Sequence, residues 1–253
     1  MLNLNRNKMK TFQTSKGLVM WAVVIFGMSV FTLSCSKDSS SDPYVCATCH
    51  PTPDALAAND AISKGVYKGI VVGSTGTIAF NIQNGVNTVT ATLVLDGTTV
   101  LLTSTVTPTA AQSYLAPFTG MYNGDPISLT FSVAANGAVP TIVTSDIPGH
   151  PNASFQIFKE TSTALIEAFE GTYAKSGETG VFNIVLSSAL AGWSGIAKNN
   201  ITGELSDIDG TYVNGVITES NGTIMGTVTG DELHGSFQDG NDDTITITGF
   251  RTL

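Results

Sequence analysis

Residues 209–250 read DGTYVNGVITESNGTIMGTVTGDELHGSFQDGNDDTITITGF. Within this stretch, Thr244-Ile245-Thr246-Ile247-Thr248 alternates strictly. The isoleucines fall on one face and the threonines on the other, as a half-buried antiparallel strand requires. Asp209-Gly210, Asn214-Gly215, Asn221-Gly222 and Asp239-Gly240 punctuate the stretch, and such pairs tolerate the positive φ of tight hairpin turns. Four more pairs precede it: Asn84-Gly85, Asp96-Gly97, Asn123-Gly124 and Asn136-Gly137. Turns this frequent join neighbouring strands into hairpins. Parallel strands would need crossovers of about a dozen residues or more.

Outward from that stretch, short β-type runs fill the chain from Lys64 to Leu253. The expected strands are Val66–Val72, Thr77–Gln83, Thr88–Leu95, Thr98–Val106, Ile127–Val133 and Phe155–Lys159. After them come Gly180–Leu186, Trp193–Ala197, Tyr212–Thr218, Thr223–Thr229, Leu233–Phe237 and Thr244–Phe250. Two short helical stretches are expected, Ala55–Ser63 (with Thr52 as N-cap and Pro53 in the first turn) and Thr163–Phe169. Threonine, 31 of the 219 residues from Cys35 onward, suits the wet face of such strands.

Gly-x-Tyr occurs at Gly65–Tyr67, Gly120–Tyr122, Gly171–Tyr173 and Gly210–Tyr212. After Tyr67 the chain reads Gly76-Thr77-Ile78-Ala79-Phe80-Asn81-Ile82, and after Tyr173 it reads Gly180-Val181-Phe182-Asn183-Ile184. The fold expected is therefore all-β, an antiparallel meander of hairpins in two related β modules of barrel or sandwich type. Module 1 would cover residues 53–160 and module 2 residues 161–253. The Tyr-to-Tyr spacings of 55, 51 and 39 residues are too irregular for fixed propeller blades.

The N-terminus has another character. Arg6, Lys8, Lys10 and Lys16 precede Gly17–Ser34, a run of 18 residues without a charge. A positive start before an apolar run is the pattern of an export signal, and an uncleaved anchor is the alternative. Leu33-Ser34-Cys35 leads directly into Ser36-Lys37-Asp38-Ser39-Ser40-Ser41-Asp42. This end resembles the signal of exported surface lipoproteins of Bacteroidota-like bacteria, in which the cysteine becomes the lipidated first residue. Thr32 stands where that family usually has leucine three positions before the cysteine. The resemblance implies a signal peptide over 1–34 and lipidation at Cys35. It also implies a flexible leash over 35–52 and a place at the outer membrane or cell surface.

The other cysteines lie in Cys46-Ala47-Thr48-Cys49-His50, a C-x-x-C-H motif. It resembles a c-type haem attachment site, which implies thioethers at Cys46 and Cys49 and iron ligation by His50. His150, His234 and Met121 are the candidates for a second iron ligand. The alternative is a Cys46–Cys49 disulfide or thiol pair with no cofactor. A zinc site lacks an evident fourth ligand.

Charge excludes one class of partner. From Cys35 onward there are 7 bases and 20 acids, a net of −13, which rules out a surface that tracks nucleic-acid phosphates. Residues 160–253 hold 13 of those acids and only 3 bases. Asp207-x-Asp209 and Asp239–Asp243 invite a calcium reading, but neither completes a twelve-residue calcium loop. No local catalytic motif is present, so no catalytic residue is assigned. Trp193, between Gly192 and Ser194-Gly195, reads as a core anchor or, alternatively, an exposed platform for a sugar ring. The function expected is a non-enzymatic binding or structural module, anchored through Cys35, whose partner is an unidentified ligand or envelope protein. A tethered mono-haem electron carrier is the first alternative. A carbohydrate-binding accessory or hydrolase is the second.

Overall fold

The computed structural model describes residues 42–72 and 76–253. The signal segment, Cys35 and Ser36–Ser41 lie outside the described residues. Asp42–Leu253 forms a compact unit that contains every described strand and all three apolar clusters, so it has what it needs to fold by itself.

Module 1 contains β1 (Gly65–Val72), β2 (Gly76–Ile82), β3 (Val89–Leu95), β4 (Thr98–Thr103), β5 (Tyr114–Tyr122), β6 (Asp125–Val133), β7 (Thr141–Asp146) and β8 (Ser154–Glu160). They form one antiparallel sheet in the order β7-β6-β5-β4-β3-β2-β1-β8. The sheet curls until its edges approach, where Ser145 Oγ lies 3.4 Å from Ala153 O. Aromatic rings fill its centre. Phe80 stacks on Phe131 at 4.4 Å between ring centroids, and Phe118 and Tyr67 meet these rings edge-on. The Tyr67 hydroxyl donates to Ser63 O at 2.8 Å.

Module 2 contains β9 (Glu167–Lys175), β10 (Glu178–Ser187), β11 (Gly192–Asn199), β12 (Leu205–Val213), β13 (Val216–Glu219), β14 (Ile224–Thr229), β15 (Glu232–Gln238) and β16 (Thr244–Arg251). These strands close into a barrel, with β16 pairing back onto β9. The all-β, two-module reading is what the chain adopts.

Several local expectations differ from the structure. The segment expected as a helix over Ala55–Ser63 holds only a 3-10 turn at Ala57–Asn59, with Leu56 in place of Thr52 at its start. Tertiary partners take the amides that a helix start would use. Asp54 N donates to Glu160 at 2.7 Å and Leu56 N to Asn84 at 3.0 Å. The second expected helix, Thr163–Phe169, runs into β9, where Glu167 pairs with Leu186 and Phe169 with Ile184. The run Tyr212–Thr218 is split by a hairpin at Asn214-Gly215, whose φ angles are 53° and 79°. Conversely, Asp209-Gly210 makes no turn and lies inside β12. Asp96-Gly97 and Asn123-Gly124 are the two-residue hairpins expected of them.

Both modules start with the same device. The Gly-x-Tyr of β1 and that of β9 each stand in the first strand of a module, paired with the strand carrying the Phe-Asn-Ile echo. Tyr67 pairs with Phe80 in module 1, whereas Tyr173 pairs with Gly180 and Gly171 with Phe182 in module 2. The register differs by two residues, so every side chain keeps its face.

Candidate functional site

Inside the module 2 barrel, β-alternation decides which residues meet the axis. Phe169, Phe182, Ile184, Leu186, Trp193, Tyr212, Ile217, Leu233 and Ile247 form its apolar cluster. The same inward rows carry glycine at 171, 180, 195, 210, 235 and 249. A side chain at Gly171 would run into the Phe182 ring, and one at Gly180 into the Tyr173 ring. The rings therefore lie over bare backbone near the wall, and the barrel keeps an interior cavity of about 480 Å³. An eight-stranded barrel is just wide enough for side chains to fill it or for one small ligand to enter.

The cavity has a distinct wall, floor and mouth. Phe182, Ile184, Ile217, Phe237 and Ile247 line the wall. Trp193 closes the floor; it is 4% exposed, and its indole N–H donates to Thr218 O at 3.1 Å. The ring is enclosed by the barrel and is not an open sugar platform. The mouth lies where the β9–β10, β11–β12, β13–β14 and β15–β16 turns gather.

Polar groups converge at that mouth. The Tyr173 hydroxyl donates to Glu178 Oε1 at 2.9 Å. Lys175 Nζ lies 3.2 Å from Glu178 Oε2 and 3.5 Å from Asp239 Oδ2. Burial, reinforced by the adjacent Glu178 carboxylate, pushes the Tyr173 hydroxyl up to about 12. The Tyr173 and Lys175 hydrogen bonds hold Glu178 below the usual carboxylate range. Across the opening, Glu219 accepts from Asn221 Nδ2 at 2.6 Å. Asp239 also closes its own turn by accepting from the amides of Asn241 and Asp243, which holds its carboxyl low. Asp209, from the other acidic segment of the calcium reading, accepts from Ser220 Oγ at 2.6 Å. Among the described residues no group of acids, histidines and cysteines is arranged to hold a metal ion.

The opposite end of the barrel receives the N-terminal segment. Tyr44 lays its ring on Phe250 at 5.0 Å, its hydroxyl donates to Arg251 O at 3.0 Å, and its amide donates to Glu232 Oε1 at 2.6 Å. Cys46 N donates to Asp231 at 2.9 Å, and Arg251 Nη2 donates to His50 O at 2.7 Å. The part of the expected leash from Tyr44 to His50 is thus docked on module 2.

Cys46 and Cys49 are joined as a disulfide, with Cα atoms 5.3 Å apart. Their order and spacing suit thioether attachment of haem. His50 Nδ1 is hydrogen-bonded to Asp54. The candidate second iron ligands sit on separate elements. Met121 is exposed in β5, His150 follows β7 and pairs with Asp96 at 3.2 Å, and His234 in β15 pairs with Glu232 at 3.1 Å.

The cup was legible only in part. Trp193 and Tyr173 stand out in the sequence, whereas Lys175, Glu178 and Glu219 do not. The available signal was glycine two residues from a large apolar residue, as in Trp193-x-Gly195-x-Ala197 and Leu233-x-Gly235-x-Phe237. Such rows place bare backbone on the inward face of a strand. Comparison with protein-family models, curated proteins and solved structures gave no match.

Proposed function

We propose that this chain is an exported, lipid-anchored binding protein of the cell envelope, whose second barrel is a cup for one small, largely apolar ligand. The observation that carries the binding part is the cavity of about 480 Å³. That volume lies within the range of ligand sites, and an apolar wall with a few convergent polar groups at the mouth is their usual composition. The anchoring part rests on the charged start, the apolar run and Cys35. Asp42 is seven residue steps from Cys35, a reach of at most about 25 Å. Tyr44 docks at the closed end of the barrel, so a tether there leaves the mouth at the far end, open to the surroundings.

Trp193 supplies the readout, being the sole tryptophan in residues 42–253 and forming the cavity floor. Titrating this unit with decanol should change the Trp193 emission saturably at one site. Ala197→Phe places a ring in the cavity and should abolish the change while the melting temperature stays close to that of the parent. An unaltered emission spectrum in the parent, or an unimpaired response in Ala197→Phe, would overturn the cup reading.

A further inference from the structure

The cavity fixes the ligand's body, and the charges at its mouth fix the head. The hairpins at the open end carry Glu178, Glu204, Glu219, Asp239, Asp242 and Asp243 against Lys175 and Lys198. Four of these line the cavity itself: Lys175, Glu178, Glu219 and Asp239. Lys175 is shared between Glu178 and Asp239, so one cation faces two carboxylates. Glu219, on the other side of the opening, has the neutral Asn221 amide as its partner. A ligand head entering the mouth therefore meets a net negative charge beside a low-dielectric interior, where field lines are focused.

We propose that the cup takes single-tailed amphiphiles bearing an ammonium head and rejects carboxylate amphiphiles of the same length. This rests on the reading of the barrel as a binding cup. The tail lies against Phe182, Ile184, Ile217 and Ile247, and the head sits at the mouth within reach of Glu219. A volume of about 480 Å³ holds on the order of fifteen non-hydrogen atoms at the ~30 Å³ that one water occupies. That accommodates one decyl chain with its head and excludes a two-chain lipid. A fatty acid would bring its carboxylate towards Glu219 and Glu178, where like charges repel.

The test compares decylammonium, decanol and decanoate on residues 42–253, below their micelle concentrations and at pH 7, read by Trp193 emission and by calorimetry. Decylammonium should bind about tenfold or more tighter than decanoate, with decanol between them. Raising the salt to about 1 M, where charges are screened within roughly 3 Å, should shrink that ratio. Glu219→Gln should reduce it by roughly threefold while leaving decanol binding unchanged. If decanoate binds as well as decylammonium, or if Glu219→Gln leaves the ratio unmoved, the cationic-head inference is overturned and the cup stands. If none of the three binds, the cup reading itself falls.

Discussion

Glu160 shows how a single residue can hold distant segments together. It is fully buried, and its two oxygens accept from Asp54 N at 2.7 Å, from Ile166 N at 3.1 Å and from Lys68 Nζ at 2.8 Å. Lys68 also reaches Asp54 at 3.0 Å, so the approach to module 1, strand β1 and the entry to module 2 meet on one carboxylate. Taking one partner from a buried ion pair leaves the other charge desolvated and uncompensated. Glu160→Gln should therefore cost about 3 kcal/mol, read as a lower urea midpoint with an unchanged slope. A midpoint within error of the parent would show that Asp54 alone satisfies Lys68. The sequence does not reveal this cluster, because Asp54, Lys68 and Glu160 are far apart in the chain and none stands in a motif. Glycine is the opposite case. Gly171 and Gly180 are visible in the sequence as part of an echo, but only the closed barrel shows that their missing side chains leave the cup open.

Among the elements, those with strict alternation were legible and those with conflicting cues were not. Thr244–Phe250 was expected as a strand and is β16 almost residue for residue. Strand β5 went unrecognised because Pro117 and Gly120 interrupt it. It tolerates a proline because its ladder to β4 is reduced to the single pair Thr103–Thr119. Strand β9 was obscured by a helix-like Ala-Leu-Ile-Glu-Ala pattern, and pairing with β10 and β16 overrode that local preference. The N-terminal segment binds module 2 partly through charge. The Tyr44 amide, with a lesser contribution from His234, holds Glu232 below the usual carboxylate range. A lowered carboxyl contributes stability that is present above its unfolded value and is lost as pH falls through the folded one. Hydrogen exchange should therefore find the Tyr44 amide protected at pH 7 and exposed as the pH drops below the carboxylate range. Protection that persists in Glu232→Gln would assign the docking to the Tyr44–Phe250 ring contact instead.

Across the whole molecule, both modules run up and down with the last strand beside the first, but module 1 stays open between β7 and β8 whereas module 2 closes, and they differ in what fills them. Module 1 is packed with aromatic rings, while module 2 is hollow at its mouth and carries most of the acidic excess. A seam of Ile70, Ile166, Ala168 and Val185, backed by Phe158 and Leu253, joins them within one compact unit. One measurement addresses both ends of the proposed biology: intact and peptide mass spectrometry of the full chain, made in a bacterial host able to attach haem. The expected product begins at a lipidated Cys35 and has Cys46 and Cys49 short of two hydrogens, as in a disulfide. A haem-sized addition on the Cys46–Cys49 peptide, with a Soret band, would establish the electron-carrier alternative. An unmodified Cys35 would remove the anchor. The sequence by itself determined the fold class, because alternation and Asn-Gly or Asp-Gly turns are local properties of neighbouring residues. It also determined the acidic sign of module 2, because charge is a count. Only the tertiary structure decided that Trp193 floors a cavity, that Glu160 joins three segments and that Tyr44–His50 is docked. Each of these depends on residues far apart in the chain that long-range pairing and packing, and in module 2 barrel closure, bring together.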